Sequence, residues 1–416
     1  MFPLTTFAII AIIIAVAIPH LSPHLLPYGP AFDVPPNRGP HLGPRLDPLN
    51  TSLRLSSGKL TKIFERIEDG ARPLVMGPET VVFDPHGKLY ILNEYAQLVT
   101  LTDIRETDKP FILTARAIEV AHLGVGRPLS GKFDRTGCLY FTDVVMGLAR
   151  ICLTNNNESD SHVPPVEILT SRVQLNDGSW SPINFADDID IGPRTGHIYF
   201  SDACDVRSER DGRTGRWDIM YPSKVEGIRW NMSGRLLRYK PETGEVDVLA
   251  TGASFGNGVA VDKDEKYVLF TSTFDRTVMK YHIQGEKAGQ IEKILDQFPG
   301  LVDGVDCSFQ SGKCYVAIPT AVSPSQGYLF SLPLYISKLM RTFLLMLPRN
   351  ATPNERPYGG FAEINSGNED APPGILRVFQ DPDGRDIDFV TGVTEHAGKV
   401  YLGSLHNDFI GVYSLT

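Results

Sequence analysis

The sequence predicts an all-β fold, a six-bladed β-propeller, and three observations carry that expectation. One strand–turn–strand pattern recurs six times, most copies are followed by further strands, and Gly (38) and Pro (31) are frequent without any low-complexity run. Punctuation of that density suits many short strands joined by turns rather than long helices.

The first copy reads Phe83-Asp84-Pro85-His86-Gly87-Lys88-Leu89-Tyr90-Ile91, and the pattern returns at 133–141, 191–200, 261–270, 307–316 and 394–402. The second strand of each copy is anchored at Tyr90, Tyr140, Tyr199, Leu269, Tyr315 and Tyr401, with uneven gaps that mark insertions near 204–232 and 320–370. Further strands follow at 148–151, 277–281 and 410–413, and the stretches 234–239 and 245–249 complete one outer hairpin. Units of four antiparallel strands at ~40–50 residues are propeller blades. A sandwich would not predict the recurrent register. The closing strand of the last blade is expected from the chain before Glu79, around Thr61 to Ile67, because closure removes exposed edges. The insert between blades 5 and 6 predicts a helix from about Pro333 to Met346, with Pro348 as its stop. Apolar residues lie on nearly every face of it. It either packs wholly on the propeller top or forms a lid over the channel mouth, with Lys338 and Arg341 facing phospholipid headgroups.

The organisation follows as 1–26 membrane anchor or signal segment, 27–54 Pro-rich linker, and 55–416 propeller. From Leu4 to Ile18 every residue is apolar except Thr5 and Thr6. That is short for a spanning helix of ~20 residues. Ala15-Val16-Ala17 fits a cleavage pattern, but Pro19 follows almost at once. Both readings put the rest of the chain in the secretory lumen or outside: a single-pass type II protein of the endoplasmic reticulum or plasma membrane, or a secreted one. Asn50, Asn157, Asn231 and Asn350 are then glycosylation acceptors. Cys138 and Cys152 flank one predicted hairpin and Cys307 and Cys314 another. Either each pair bridges its ladder or all five cysteines are small buried apolar residues. The net charge is −9 and no Lys/Arg block occurs, which excludes a nucleic-acid partner.

The residue entering each innermost strand points at the mouth of the central channel. In register these are Glu79, Leu129, Asp187, Asn257, Asp303 and Val390 or Thr391. Four of the six are oxygen donors. Three carboxylates converging on one axis repel unless a cation lies between them. An all-oxygen, mixed carboxylate and amide set suits Ca²⁺, so Glu79, Asp187, Asn257 and Asp303 are the expected metal ligands. The sequence holds no P-loop, nucleophile elbow or Cys-x-x-Cys spacing. Of the ten histidines, His122 alone is placed near the mouth.

With those residues in view, the chain resembles the strictosidine synthase-like family. The resemblance spans about 70–416 and rests on Phe185-Ala186-Asp187-Asp188 with Ile198-Tyr199-Phe200-Ser201-Asp202. It continues through Gly234-Arg235-Leu236-Leu237-Arg238-Tyr239, Phe255-Gly256-Asn257-Gly258, Pro299-Gly300-Leu301-Val302-Asp303-Gly304, Asp381-Pro382-Asp383-Gly384 and Thr394-Glu395-His396 with Tyr401-Leu402-Gly403-Ser404. It implies a propeller related to calcium-dependent phosphotriesterases, lactonases and gluconolactonases. It also implies an esterase-like (arylesterase-type) hydrolase acting on a small-molecule ester or lactone. The family usually has Asn at Asp187 and Pro-Asp-Asn at Val302-Asp303-Gly304; both departures keep an oxygen donor. Where strictosidine synthase uses a Glu for its condensation this chain has Asp388, and where lactonases use a His it has Leu129. Asp303 or Asp187 is then the expected nucleophile or water base, with Asp388 the candidate for amine–aldehyde condensation. A non-catalytic binding propeller with structural calcium is the reading from a different class.

Overall fold

The side chain of Asp84 folds back on its own turn: Oδ1 accepts from the backbone N–H of His86 and of Lys88, each at 2.9 Å. Asp134 does the same for Thr136 and Cys138, and Asp262 for Asp264 and Lys266. Gly87 (φ +81°) and Gly137 (φ +86°) supply the left-handed residue that closes two of these turns. Local chemistry thus favours a hairpin turn in these three repeats.

The computed structural model describes residues 28–29, 31–33, 52–55, 59–67, 70–153, 164–296, 298–322, 329–349, 357–367 and 371–415. The expected anchor, most of the linker, and the acceptors Asn50, Asn157 and Asn350 lie outside the described residues. Among the described residues no helix is long and apolar enough to cross a membrane. The chain is all-β in class, with few helices and its sheets set around one axis.

Among the described residues the strands form three sheets of four, one of five, one of eight and two of two, and the strands of each repeat are numbered as a set in chain order. Their innermost members are Val81–Phe83, Pro128–Phe133, Ala186–Ile191, Gly256–Val261, Val305–Cys307 and Val390–His396. Each packs against the next, and the last packs against the first. The sixth set is completed by Leu60–Glu65, antiparallel to Phe409–Ser414 and parallel to Ile112–His122 of the first set. That is the segment expected to close the ring, and it leaves no free edge there. Within the stretch read as a linker, Ser52–Arg54 pairs in parallel with Gly374–Asp381. Apolar side chains fill the space between neighbouring sheets, as where Leu92, Leu98, Leu139 and Phe141 meet. Disulfides join Cys138 to Cys152 and Cys307 to Cys314, each pair directly opposed in its ladder. Cys204 is free and buried.

Two helices sit at the end of the channel where the inner strands begin. Met220–Arg229 lies in the third set's insert and Leu334–Leu345 in the insert between the fifth and sixth, starting at Pro333 as expected. They pack on each other and, through Val225 and Leu345, on an apolar cluster containing Leu129, Phe185 and Phe255.

Candidate functional site

Four of the inner strands carry a register shift near their start: between Pro128 and Gly131, Ala186 and Ile189, Gly256 and Val259, and Val390 and Gly392. A bulge breaks strict alternation and turns consecutive side chains the same way. In the third set it brings both Asp187 and Asp188 to the axis. Glycine permits the close approach of backbones there: a Cβ at Gly403 would stand 1.9 Å from the Glu79 carbonyl oxygen, and one at Gly392 2.1 Å from it.

Glu79, Asp187, Asn257 and Asp303 are all buried. The structure brings them within electrostatic reach of one another. Burial raises the Asp187 carboxyl well above its usual range, and the charges of Glu79, Asp303 and Asp188 raise it further. Asp303 is raised by burial, then by Glu79 and Asp188, against a hydrogen bond from Asn257. Glu79 is raised by burial, opposed by the Arg127 guanidinium and reinforced by Asp188. Glu79 Oε2 and Asp303 Oδ1 are buried without a hydrogen-bond partner. Among the described residues, no three His, Cys, Asp or Glu side chains are drawn close enough together to grip a metal ion. The donors stand around the mouth as a loose, repelling set.

Arg127 is the protein's own cation at this ring, and the sequence reading missed it. It is buried, its Nη2 donates to Gly77 O at 2.8 Å, and its charge faces Glu79, Glu94 and Asp143. Leu129, the ring position of the second set, is packed in the apolar cluster beside the mouth.

A second layer lies below. Asp188 Oδ1 accepts from Ser130 Oγ at 2.6 Å and its Oδ2 from Val259 N at 2.9 Å; burial still pushes its carboxyl up to about 6. Lys132 Nζ lies 2.8 Å from Asp306 Oδ1 and 3.5 Å from Asp190 Oδ1. Burial alone would lower its ammonium pKa, but the two carboxylates hold it above the ordinary value. A cavity of about 230 Å³ begins at this layer and runs along the axis to Phe309, Gln310 and His396 at the opposite end.

Asp388 stands apart from the ring. Its Oδ1 accepts from Tyr358 N at 2.9 Å and its Oδ2 lies 3.2 Å from His406 Nδ1. The His406 ring stacks on Phe389, with centroids 4.2 Å apart. Ser404 N donates to Pro78 O and Gly77 N to Asn407 O, so the His406 turn borders the rim next to Glu79. His122 is therefore not alone near the mouth: His406 is there too. His122 itself is exposed, its Nδ1 accepting from Gly124 N.

The family model described as strictosidine synthase matches residues 187–286. Strictosidine synthase-like 13 of Arabidopsis thaliana is 31% identical over 272 residues, 65% of this chain and 60% of that protein. Strictosidine synthase-like 10 of the same plant is 27% identical over 351 residues, 82% of this chain and 85% of that one. The adipocyte plasma membrane-associated protein of Gallus gallus is 28% identical over 289 residues, 68% and 62% of the two chains. This chain thus spans less than two thirds of the length of some of the relatives it matches. Among solved structures, a gluconolactonase from Xanthomonas campestris superposes with a TM-score of 0.53 at 11% identity, covering 93% of this chain and 97% of that one. The calcium structure of a Trichoderma reesei carbohydrate-active enzyme gives 0.51 at 10% identity, covering 88% and 100%. These two likenesses show the fold.

Proposed function

We propose, for a chain related to the strictosidine synthase-like proteins, a six-bladed propeller that is a membrane-tethered, calcium-dependent hydrolase of esters or lactones, with its site at the channel mouth. The observation that carries this reading is the buried set of Glu79, Asp187 and Asp303 with Asn257, in which two carboxylate oxygens have no partner. Burying like charges together is costly unless a cation joins them. A hard divalent cation answers that need, and the donor set is of the kind Ca²⁺ accepts.

Glu79, Asp187, Asn257 and Asp303 would hold Ca²⁺. When bound, it supplies Lewis-acid polarisation of a substrate carbonyl and stabilises the developing oxyanion. Asp187 or Asp303, whichever is the less engaged, serves as nucleophile or water base. His406, oriented by Asp388 and braced on Phe389, stands at the rim to move a proton to the leaving group. Amine–aldehyde condensation through Asp388 is the less favoured chemistry, because both Asp388 oxygens are already engaged.

The tether would be the apolar run from Leu4 to Ile18, giving a type II protein whose propeller faces the lumen of the endoplasmic reticulum or the cell exterior. Two disulfides suit such a compartment, and relatives carry "plasma membrane-associated" in their name. Leu129, apolar where lactonases have His, favours a second reading: a binding propeller with structural calcium.

Turnover of aryl acetates and simple lactones, with and without chelator, tests the first reading. Calcium-dependent turnover lost in Asp303→Ala supports it. A calcium-stabilised chain that turns over neither class sinks it in favour of the second.

A further inference from the structure

The Leu334–Leu345 helix is built inside out. Its three buried residues are Ser337, Arg341 and Thr342, all polar. Leu339, Phe343, Leu344 and Leu345 are half-buried, Leu345 against the apolar cluster, while Leu334 (59%), Tyr335 (65%), Ile336 (46%) and Met340 (47%) are openly exposed. A helix on a water-facing surface shows the reverse pattern. Its polar side is fully used: Arg341 Nη1 donates to Ile228 O at 2.9 Å and Nη2 to Phe32 O at 2.5 Å, while Thr342 Oγ1 accepts from Ala31 N at 3.1 Å. The sequence expectation that Arg341 faces headgroups is corrected by its burial; Lys338, paired with Asp33 at 3.4 Å, stays at the surface.

These bonds also hold the first described residues of the chain against the helix. Tyr28, Ala31 and Phe32 are held on the two helices, with Phe32 N donating to Arg229 O at 2.7 Å and Arg229 Nη1 to Tyr28 O at 2.7 Å. The run from Leu4 to Ile18 ends ten residues before Tyr28. Tyr28 itself is held on the helix pair that carries the exposed apolar side, at the channel-mouth end.

We propose that Leu334, Tyr335, Ile336 and Met340 form a membrane-docking surface that enters the headgroup–acyl boundary and turns the channel mouth towards the bilayer. Such a surface needs apolar side chains outward, an aromatic residue at interfacial depth and a cation nearby, which Tyr335 and Lys338 provide. The mouth would then take lipophilic substrate from the membrane. The inference rests on the tethered reading only for the bilayer's position.

The test uses the full chain in phosphatidylcholine vesicles. Met340→Cys and, at the opposite end, Glu286→Cys are labelled with an environment-sensitive fluorophore; Cys204, the free thiol, is buried. Quenchers are doxyl groups on the lipid acyl chains, and flotation is measured in parallel. A blue shift and at least about two-fold stronger quenching at Met340 than at Glu286 are expected. Replacing Leu334, Tyr335 and Ile336 together by Ser should remove the quenching at unchanged melting temperature. A chain that floats with an unquenched Met340 probe overturns the docking and leaves the tether standing. A chain that does not float but is quenched on added vesicles leaves the docking and overturns the tether. Oxidative cross-linking between two Met340→Cys chains without quenching would show a second copy as the occupant and refute the proposal.

Discussion

Lys132 and Asp306 meet at 2.8 Å although 174 residues separate them and their strands, Pro128–Phe133 and Val305–Cys307, belong to different sheets. Replacing Lys132 with Met leaves Asp190 and Asp306 facing each other without a cation. Breaking a fully buried pair costs about 3–5 kcal/mol. The Lys132 side chain is 34% exposed to the cavity, so screening reduces the expected loss to about 1–3 kcal/mol. Chemical denaturation reads it, and adding Asp306→Asn should recover part of the loss. Additive single and double losses would show that the pair is not coupled.

Asp303→Asn separates metal binding from packing. With chelator, the variant should melt no lower than the parent, because one uncompensated buried carboxylate is gone. With calcium, the parent should rise by several degrees and the variant much less. Equal calcium shifts in both would place the cation elsewhere.

The same carboxylates predict a pH dependence. Asp187, Asp303 and Glu79 are raised by burial and mutual repulsion, and Asp188 is raised to about 6. A raised acid binds protons more tightly folded than unfolded, so its stabilising contribution is full below the unfolded value and is lost as pH rises through the folded one. The cation-free chain should therefore lose stability from about pH 4 through pH 6 and above. Calcium displaces those protons, so its stabilisation should grow across that range. Melting curves in chelator that stay flat between pH 5 and 8 would refute the coupling.

Gly403→Ala drives a methyl group against the Glu79 carbonyl, 1.9 Å away before relaxation. Overpacking of this kind costs about 1–3 kcal/mol. Because the strain falls on Glu79, calcium affinity should weaken several-fold as well, by isothermal titration. Unchanged affinity would mean that Glu79 does not depend on this contact.

His406→Ala addresses proton transfer apart from metal binding. If His406 serves the leaving group, kcat/KM should fall by about 10²–10⁴ while the calcium-induced melting shift is kept. Asp388→Asn should give a smaller fall and a displaced pH profile. Full activity in both would confine the chemistry to the ring carboxylates.

The hairpins were legible because they are local. An Asp that caps its own turn, a Gly past it and alternating apolar residues are written within ten residues, and repetition multiplies the signal. The closing segment followed from the same register, which also set Cys138 near Cys152 and Cys307 near Cys314 but left open whether they bridge; the structure shows that they do. The cross-sheet and rim relationships were not legible. Asp188 reaches the axis through a bulge that a period of two cannot register. Lys132, Asp306 and Arg127 act through partners far away in sequence, which only ring closure brings near. His406 borders the rim because its turn is bonded to Gly77 and Pro78, more than 300 residues earlier. The apolar composition of the 334–345 helix could be read directly, but which of its sides is buried was decided by the carbonyls of Phe32 and Ile228, which accept from Arg341, hold it inward and leave Leu334, Tyr335, Ile336 and Met340 outside.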